Sequence, residues 1–235
     1  MQLFYFDSIT AGQRVQLSAE ESKHLIKVLR KQIGDTVFAT DGRGLKAQAR
    51  IVVDHFKQAE LEVLEVEQVK RPDFHITVAL APTKNQDRIE WFLEKATEVG
   101  VDQVLLMQTD HSEKSYLKED RLEKKILAAA KQSHKFYLPT LETGISFDAL
   151  LTDARFQDHA RFIAYVSEQE REGLFGLAPK NAQYLLLIGP EGDFSTREIT
   201  AAKAAGFLPC ALGPYRLRTE TAALMAVHTL QLKNT

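Results

Sequence analysis

The 235-residue chain predicts an α/β protein in two parts. A small, mostly β module covers residues 1–70, and a larger module built on a largely parallel sheet covers residues 71–235. Three observations predict this. Strand-like and helix-like patterns alternate from Phe74 onward, which requires parallel strands covered on both faces. Before Arg71-Pro72-Asp73 the patterns are nearly all strand-like, with a hairpin signal at Asp41-Gly42. The last fifth holds two apolar runs, Tyr184 to Ile188 and Phe207 to Leu212, each broken by a glycine-proline pair, Gly189-Pro190 and Gly213-Pro214.

In chain order, Met1 to Phe6 and Gln13 to Leu17 read as short strands. Ser18 with Glu21 three residues on is a capping-box pattern, and the helix it opens runs through Arg30. Leu25, Val28 and Leu29 share its apolar stripe, and Lys23, Lys27, Arg30 and Lys31 form a basic side. Strands follow at 36–39, 45–53 and 59–66. The module is neutral, ten basic against ten acidic residues through Lys70. Arg71-Pro72-Asp73 is the expected boundary, since proline restricts its predecessor and the neighbours are polar.

Phe74 to Leu80 is an apolar strand, and from Lys84 the period becomes helical. Ile89, Phe92, Leu93, Ala96 and Val99 suit burial, while Lys84, Arg88, Trp91 and Lys95 recur on another face. That face is either a solvated one or a nucleic-acid surface, with Trp91 stacking on a base or packing inward. A strand over 104–107, a long helix over Leu117 to Ser133, a short helical turn at 147–150 and a strand over 161–166 follow. A polar segment from Ser167 to Lys180 precedes the two glycine-proline loops.

Bulk properties narrow the function. A formal charge of −2 means that nucleic-acid affinity has to come from local basic patches. The lone cysteine, Cys210, excludes an internal disulfide and a cysteine zinc cluster, and reads as a small core residue. His111, His134 and His228 lack ligand spacing, so no metal is expected. The start lacks a basic signal-peptide region and no apolar run reaches membrane-spanning length, so a cytoplasmic protein without membrane contact is expected.

Loops at the carboxyl ends of parallel strands are where open α/β sheets bind ligands, which places the site in the two glycine-proline loops. Gly189-Pro190-Glu191-Gly192 matches neither the phosphate loop nor the dinucleotide fingerprint. Its glycines allow either a tight turn or close backbone approach to a ligand. Adding Cβ at Gly192 is expected to clash or to forbid the required dihedral. Glu191 orients either a polar ligand or a helix end. Ser195 caps a helix, with Glu198 completing a second capping box, or is a nucleophile whose base is not identifiable. Arg216 and Arg218 form either an exposed basic turn or a site for an anion or nucleobase. Glu220 lies near the positive end of the final helix.

The runs Leu187-Ile188-Gly189-Pro190-Glu191-Gly192-Asp193-Phe194-Ser195 and Leu212-Gly213-Pro214-Tyr215-Arg216-Leu217-Arg218-Thr219-Glu220-Thr221-Ala222 together resemble the RsmE family of 16S ribosomal RNA uracil N3-methyltransferases, of the SPOUT class. His24 to Arg30 resembles the family's amino-terminal RNA-binding segment. Lys84 to Arg88 with Glu90, Lys95 to Val101, and Gln132-Ser133 resemble its central elements. The family usually has a second glycine where Asp193 stands, so an acidic side chain there is expected to reshape the loop. Tyr215 and Arg216 replace an arginine and an aliphatic residue.

The resemblance implies a PUA-like β-barrel followed by a parallel sheet with a trefoil knot. It implies S-adenosylmethionine as cofactor, held by Leu187, Ile188, Gly189, Pro190, Glu191, Gly192, Leu212, Gly213, Leu217 and Arg218. It implies 16S ribosomal RNA in the 30S subunit as substrate, touched by His24, Lys27, Arg30, Lys84, Arg88 and Lys95, and a homodimer. Arg218 would stabilise the uracil anion, and Glu220 or solvent would take its proton. The alternatives are another methyltransferase of the class acting on transfer RNA, and a non-catalytic RNA-binding assembly factor.

Overall fold

The computed structural model describes residues 2–112, 118–167 and 172–235. Met1, Leu117 and residues 168–171 of the expected polar segment lie outside the described residues. The chain divides into two compact units. The first is Met1–Arg71 with Ala130–Leu138, and the second is Pro72–Ala129 with Pro139–Thr235.

The first unit contains β1 (Leu3–Tyr5), β2 (Arg14–Gln16), α1 (Ala19–Lys23), β3 (Thr36–Thr40), β4 (Leu45–Val53) and β5 (Glu60–Gln68). Its sheet has the order β1-β3-β4-β5-β2, with β1 parallel to β3 and the other pairs antiparallel. No ladder joins β1 to β2 among the described residues, so in hydrogen bonding the expected barrel is an open sheet. Alternating residues Val37, Ala39, Ala47, Ala49, Ile51, Leu61 and Val63 face one core with Phe4 and Leu25.

Ser18 caps α1 by accepting from the Glu21 amide at 3.2 Å. Glu21 does not return the bond; its carboxylate pairs with Lys131. The expected single helix through Arg30 changes winding after Lys23. Residues His24–Val28 form a π-helical turn, in which the Leu29 amide donates to the His24 carbonyl at 2.9 Å. Arg30 then takes a left-handed φ of 55°.

The segment 130–138 docks on this sheet. The Gly44 amide donates to the Phe136 carbonyl at 2.8 Å, and the Leu138 amide to Gly42 at 2.9 Å. The Tyr137 hydroxyl donates to the Val69 carbonyl and accepts from Gln68 Nε2, both at 2.9 Å. The expected boundary at Arg71-Pro72-Asp73 thus closes only the first of this unit's two pieces, and the second returns 58 residues later.

The second unit contains β6 (His75–Leu80), α2 (Gln86–Val99), β7 (Gln103–Gln108), α3 (Glu119–Gln132, whose last turn belongs to the first unit), β8 (Thr140–Ser146), α4 (Phe147–Leu151), β9 (Ala160–Ala164), α5 (Leu174–Leu177), β10 (Gln183–Ile188), α6 (Thr196–Ala204), β11 (Leu208–Cys210) and α7 (Thr219–Asn234). The six strands run in the order β11-β9-β10-β6-β7-β8, all parallel. Central β6 and β10 are buried on both faces, hence their uninterrupted apolar sequences. Ile76, Val78, Leu80, Leu186 and Ile188 enter a core with α2 and α7, whereas Ala79, Leu185 and Leu187 enter the opposite core with α4 and α6. Each large aliphatic or aromatic side chain so buried contributes about 1.5–3 kcal/mol. α2 is capped by Asn85, which accepts from the Asp87 amide at 2.9 Å, and ends at Gly100 with φ 115°.

Candidate functional site

Three strands of the second unit end beside one another, and their following loops enclose a cavity of about 980 Å³. Tyr165 and Val166 follow β9, Ile188 ends β10 and Gly189 to Glu191 with Asp193 follow it, Cys210 ends β11 and Ala211 to Arg218 follow it, with Thr219 and Ala222 of α7 completing the wall. The volume lies at the upper end of the range for small-molecule sites, about 300–1,000 Å³.

Local sequence explains why these loops stand open. Gly213 has φ 129°, a conformation that side chains rarely adopt, and no atom lies within 4 Å of the position a Cβ would take. That position is a space on the cavity wall for a ligand to approach. Gly189 is tight on its far side, where a Cβ would sit 3.1 Å from the Phe194 ring. Gly192 differs from expectation. It does not line the cavity, its φ is not left-handed, and a Cβ would make ordinary contact with His111 at 3.5 Å. The Thr219 hydroxyl donates to the Gly189 carbonyl at 3.0 Å, tying the start of α7 to the loop after β10.

Asp193 occupies the position where a second glycine was the pattern, and its φ is 62°. The loop keeps a glycine-like backbone and gains a carboxylate. That carboxylate accepts from the Val166 amide at 2.7 Å and from the Phe194 amide at 2.8 Å, linking the loops after β9 and β10. His111 Nδ1 hydrogen-bonds the Asp193 carbonyl at 2.9 Å. Asp193→Ala removes the charged acceptor and leaves a Cβ residue in the strained conformation. It should destabilise the chain by about 1–3 kcal/mol. Asp193→Gly should recover part of that loss by relieving the backbone. Urea midpoints with an unchanged m-value check both, and a glycine variant no better than alanine would mean that backbone strain is unimportant here.

Behind this loop Ser195 and Glu198 form the expected capping box of α6. The Ser195 hydroxyl donates to Asp110 at 2.6 Å, and no histidine pairs with it among the described residues, so it is a cap rather than a nucleophile. The Arg197 guanidinium, and then the Ser195 hydroxyl, hold the Asp110 carboxyl down to about 2. Buried Glu198 also accepts from the Asp110 amide at 2.9 Å. Together these bonds tie the loop after β7 to the start of α6.

Arg218 is the backbone N-cap residue of α7, with φ −71° and ψ 156°, and it lines the cavity. Neither it nor Arg216 has a carboxylate partner among the described residues, and both are exposed. The 16-residue helix α7 starts at the cavity with its positive end. An anion there meets a helix dipole and two uncompensated guanidinium groups.

Glu220 lies elsewhere than its expected role as base requires. It does not line the cavity and is 7% exposed. Its Oε1 is 3.8 Å from Arg88 Nε, and its Oε2 has no hydrogen-bond partner among the described residues. Arg88 also pairs with Glu191. Arg88 therefore joins α2 and α7 to the loop after β10, and its charge is already engaged by two carboxylates. Lys95 is likewise engaged, by Glu94 at 2.8 Å and Glu98 at 2.9 Å. Lys84 is exposed. Trp91 is 43% exposed rather than buried.

Of the residues expected at the cofactor, Ile188, Gly189, Pro190, Glu191, Leu212, Gly213, Leu217 and Arg218 share the cavity wall. Leu187 does not, because strand alternation sends it into the core with α4 and α6. In the first unit His24, Lys27 and Arg30 are exposed around the π-helical turn. Sequence reading missed Tyr165, Val166, Asp110 and His111. The same carboxyl-end rule that found the two glycine-proline loops applies to β7 and β9, whose loops carry no glycine-proline signal.

Comparison with known proteins agrees with this arrangement. The RNA methyltransferase domain family matches residues 70–231, and the RNA methyltransferase PUA domain family matches residues 17–64. A probable rRNA-methyltransferase from Porphyromonas gingivalis superposes with a TM-score of 0.91 at 40% identity, over 99% of both chains. A methyltransferase from Legionella pneumophila, solved with bound SAM, gives 0.84 at 29% identity over 99% of this chain and 97% of that one. Ribosomal RNA small subunit methyltransferase E of Bacillus subtilis is 27% identical over 96% of this chain and 94% of its own length. With both of its units matched and its cavity formed by the loops that carry the resemblance, the chain belongs to the RsmE family, the ribosomal RNA small subunit methyltransferases E.

Proposed function

We propose that this chain transfers a methyl group from S-adenosylmethionine to N3 of one uridine in 16S ribosomal RNA of the small ribosomal subunit. The observation that carries the reading is the cavity beyond β9, β10 and β11, lined by Gly189 and Gly213 and edged by Arg218, which has no carboxylate partner among the described residues. The donor chemistry fits the cofactor. Open backbone at Gly213 suits close approach of the cofactor, and apolar Ile188, Leu212 and Leu217 suit its less polar surface. When bound, the cofactor supplies an electrophilic methyl group on a sulfonium.

The chain's own residues supply the rest. Uracil N3 holds a proton at neutral pH and attacks only as the anion. Arg218, reinforced by the start of α7, favours that anion, and solvent takes the proton. Arg88, held by buried Glu220, keeps Glu191 and its loop in place, so these residues act by positioning. The two loops around the cavity are threaded as a trefoil knot in this reading, and two copies pair. Tyr215, 82% exposed, and exposed Leu232 and Val166 leave apolar surface for such a partner. A ribosomal substrate places the protein in the cytoplasm, and no helix among the described residues is long and apolar enough to cross a membrane.

Incubating purified small subunits with the protein and labelled cofactor, then analysing nucleosides, should yield 3-methyluridine. Label in ribose or in guanine, or in transfer RNA alone, would transfer the chain to another reaction of the same class. Absence of both methyl transfer and cofactor binding would favour a non-catalytic assembly factor.

A further inference from the structure

The first unit carries an aromatic side chain that its core does not use. Phe56 lies in the six-residue loop 54–59 between β4 and β5 and is 40% exposed. It is absent from the apolar cluster that β3, β4 and β5 share with Leu25. Yet the loop is firmly held. The Ala59 amide donates to the Ser22 hydroxyl at 3.0 Å in a buried bond, the Leu17 amide donates to the Ala59 carbonyl at 2.9 Å, and the Gln58 amide to His55 at 3.1 Å. These bonds fix the loop against α1 and so against the π-helical turn that follows.

That turn supplies positive charge to the ring. Its winding buries Leu25 and leaves Lys27 and Val28 exposed. Lys27 Nζ stands 5.6 Å from the Phe56 ring centroid, and Lys57 Nζ from the loop itself stands 5.6 Å from it as well. The His55 ring lies 4.9 Å from the Phe56 ring, centroid to centroid, tilted by 45°. Of the carboxylates of the neighbouring turns, Glu21 is taken by Lys131 and Asp35 by Lys31. Neither Lys27 nor Lys57 has a carboxylate partner among the described residues. Asp54 is the acidic member of the loop.

An exposed ring costs burial of its apolar surface unless something covers it. Two ammonium groups over an exposed ring gain little from the ring, and would gain more from phosphates one nucleotide apart. We propose that Phe56 is a stacking platform for one unpaired base of the RNA substrate, with Lys27 and Lys57 turning from the ring to the flanking phosphates. The inference rests on the reading of the protein as an RNA methyltransferase and assigns the class of RNA that this unit takes, a single-stranded stretch. The ring offers a sequence-tolerant π face, and the ammonium groups read backbone alone.

The test uses the full chain and a fluorescently labelled single-stranded oligouridylate, read by anisotropy. Phe56→Ala should weaken binding about tenfold, and Phe56→Leu, which keeps apolar bulk without a π face, by a similar factor. Phe56→Trp should retain affinity, and its added emission should be quenched by RNA beyond the response of Trp91 in the unaltered chain. Replacing Lys27 and Lys57 together by Ala should flatten the salt dependence by about 0.7 per lost single-strand phosphate contact. Wild-type affinity in both Phe56→Ala and Phe56→Leu, an unquenched tryptophan, or an unaltered chain that does not hold the oligomer would each overturn the proposal. Methylation of small subunits by the unaltered chain is scored separately, so the platform can fail while the proposed reaction stands.

Discussion

Arg218→Ala should slow single-turnover methyl transfer by roughly two orders of magnitude at saturating RNA, with cofactor binding largely kept. The loss corresponds to about 3 kcal/mol, the cost of removing one preorganised donor aimed at a developing anion. The effect is expected to be large because Arg218 is the guanidinium placed at the start of α7. Arg218 has no carboxylate to satisfy among the described residues, and it stands where α7 presents its positive end. Arg216 is also exposed at the cavity, two residues further from the start of α7. Arg218→Lys should recover part of the rate, since it keeps charge and loses the planar fork. Raising the pH should rescue the alanine variant in part, because bulk base then supplies the uracil anion that Arg218 favoured. A normal saturated rate with weakened RNA binding would make Arg218 a substrate-holding residue. A variant normal in both would remove it from the chemistry.

The second large effect concerns stability. Gly44→Ala should destabilise the protein by about 2–4 kcal/mol. Gly44 has φ 100°, where a side chain costs about 1–2 kcal/mol. A Cβ there would also overlap the Tyr137 ring and Gln68 Nε2. Relief requires Tyr137 to leave its hydrogen bonds with Val69 and Gln68, each worth about 1 kcal/mol. At about 2–4 °C per kcal/mol for a chain of this size, the melting midpoint should fall by roughly 4–16 °C. Gly34→Ala is the control. Its φ is 92°, but no atom lies within 4 Å of its Cβ position, so it should show the backbone cost alone. Equal shifts in the two variants would mean that Tyr137 yields at no cost.

The central part of the fold was legible because its residues obey one rule at a time. Tyr184 to Ile188 and Phe74 to Leu80 are buried on both faces, and a continuous apolar run has few other uses. The cavity loops were legible because glycine and proline mark backbone that cannot continue a strand. Elsewhere two demands compete. β8 escaped notice because it is an edge strand, half-exposed, with Gly144 at φ 75° beside a register shift, so neither alternation nor an apolar run survives. The π-helical turn escaped because its apolar residues, Leu25, Ile26 and Val28, keep a spacing that an α-helix also allows, and no residue type in His24–Val28 marks the wider winding. Leu187 and Gly192 were expected at the cofactor from the family resemblance, which names a run of residues without saying which side each one faces; Leu187 points into the core with α4 and α6, and Gly192 is not among the cavity-lining residues. Glu220 was legible as a helix-start carboxylate. Its partner Arg88 lies 132 positions earlier, and no local pattern links the two.

The return of Ala130–Leu138 to the first unit sets a schedule for the nascent chain. Fifty-eight residues, Pro72–Ala129, separate the two pieces of that unit. At about 5–20 residues per second, synthesis delivers the closing piece roughly 3–12 s after Arg71. During that interval the hairpin turn at Gly42 and Gly44 lacks the Phe136 and Leu138 backbone partners, and Glu21 lacks Lys131. Settling of the amino-terminal sheet thus waits on a piece made after β6, α2 and β7. A ribosome stalled between residues 72 and 129 would hold that sheet in a protease-sensitive form.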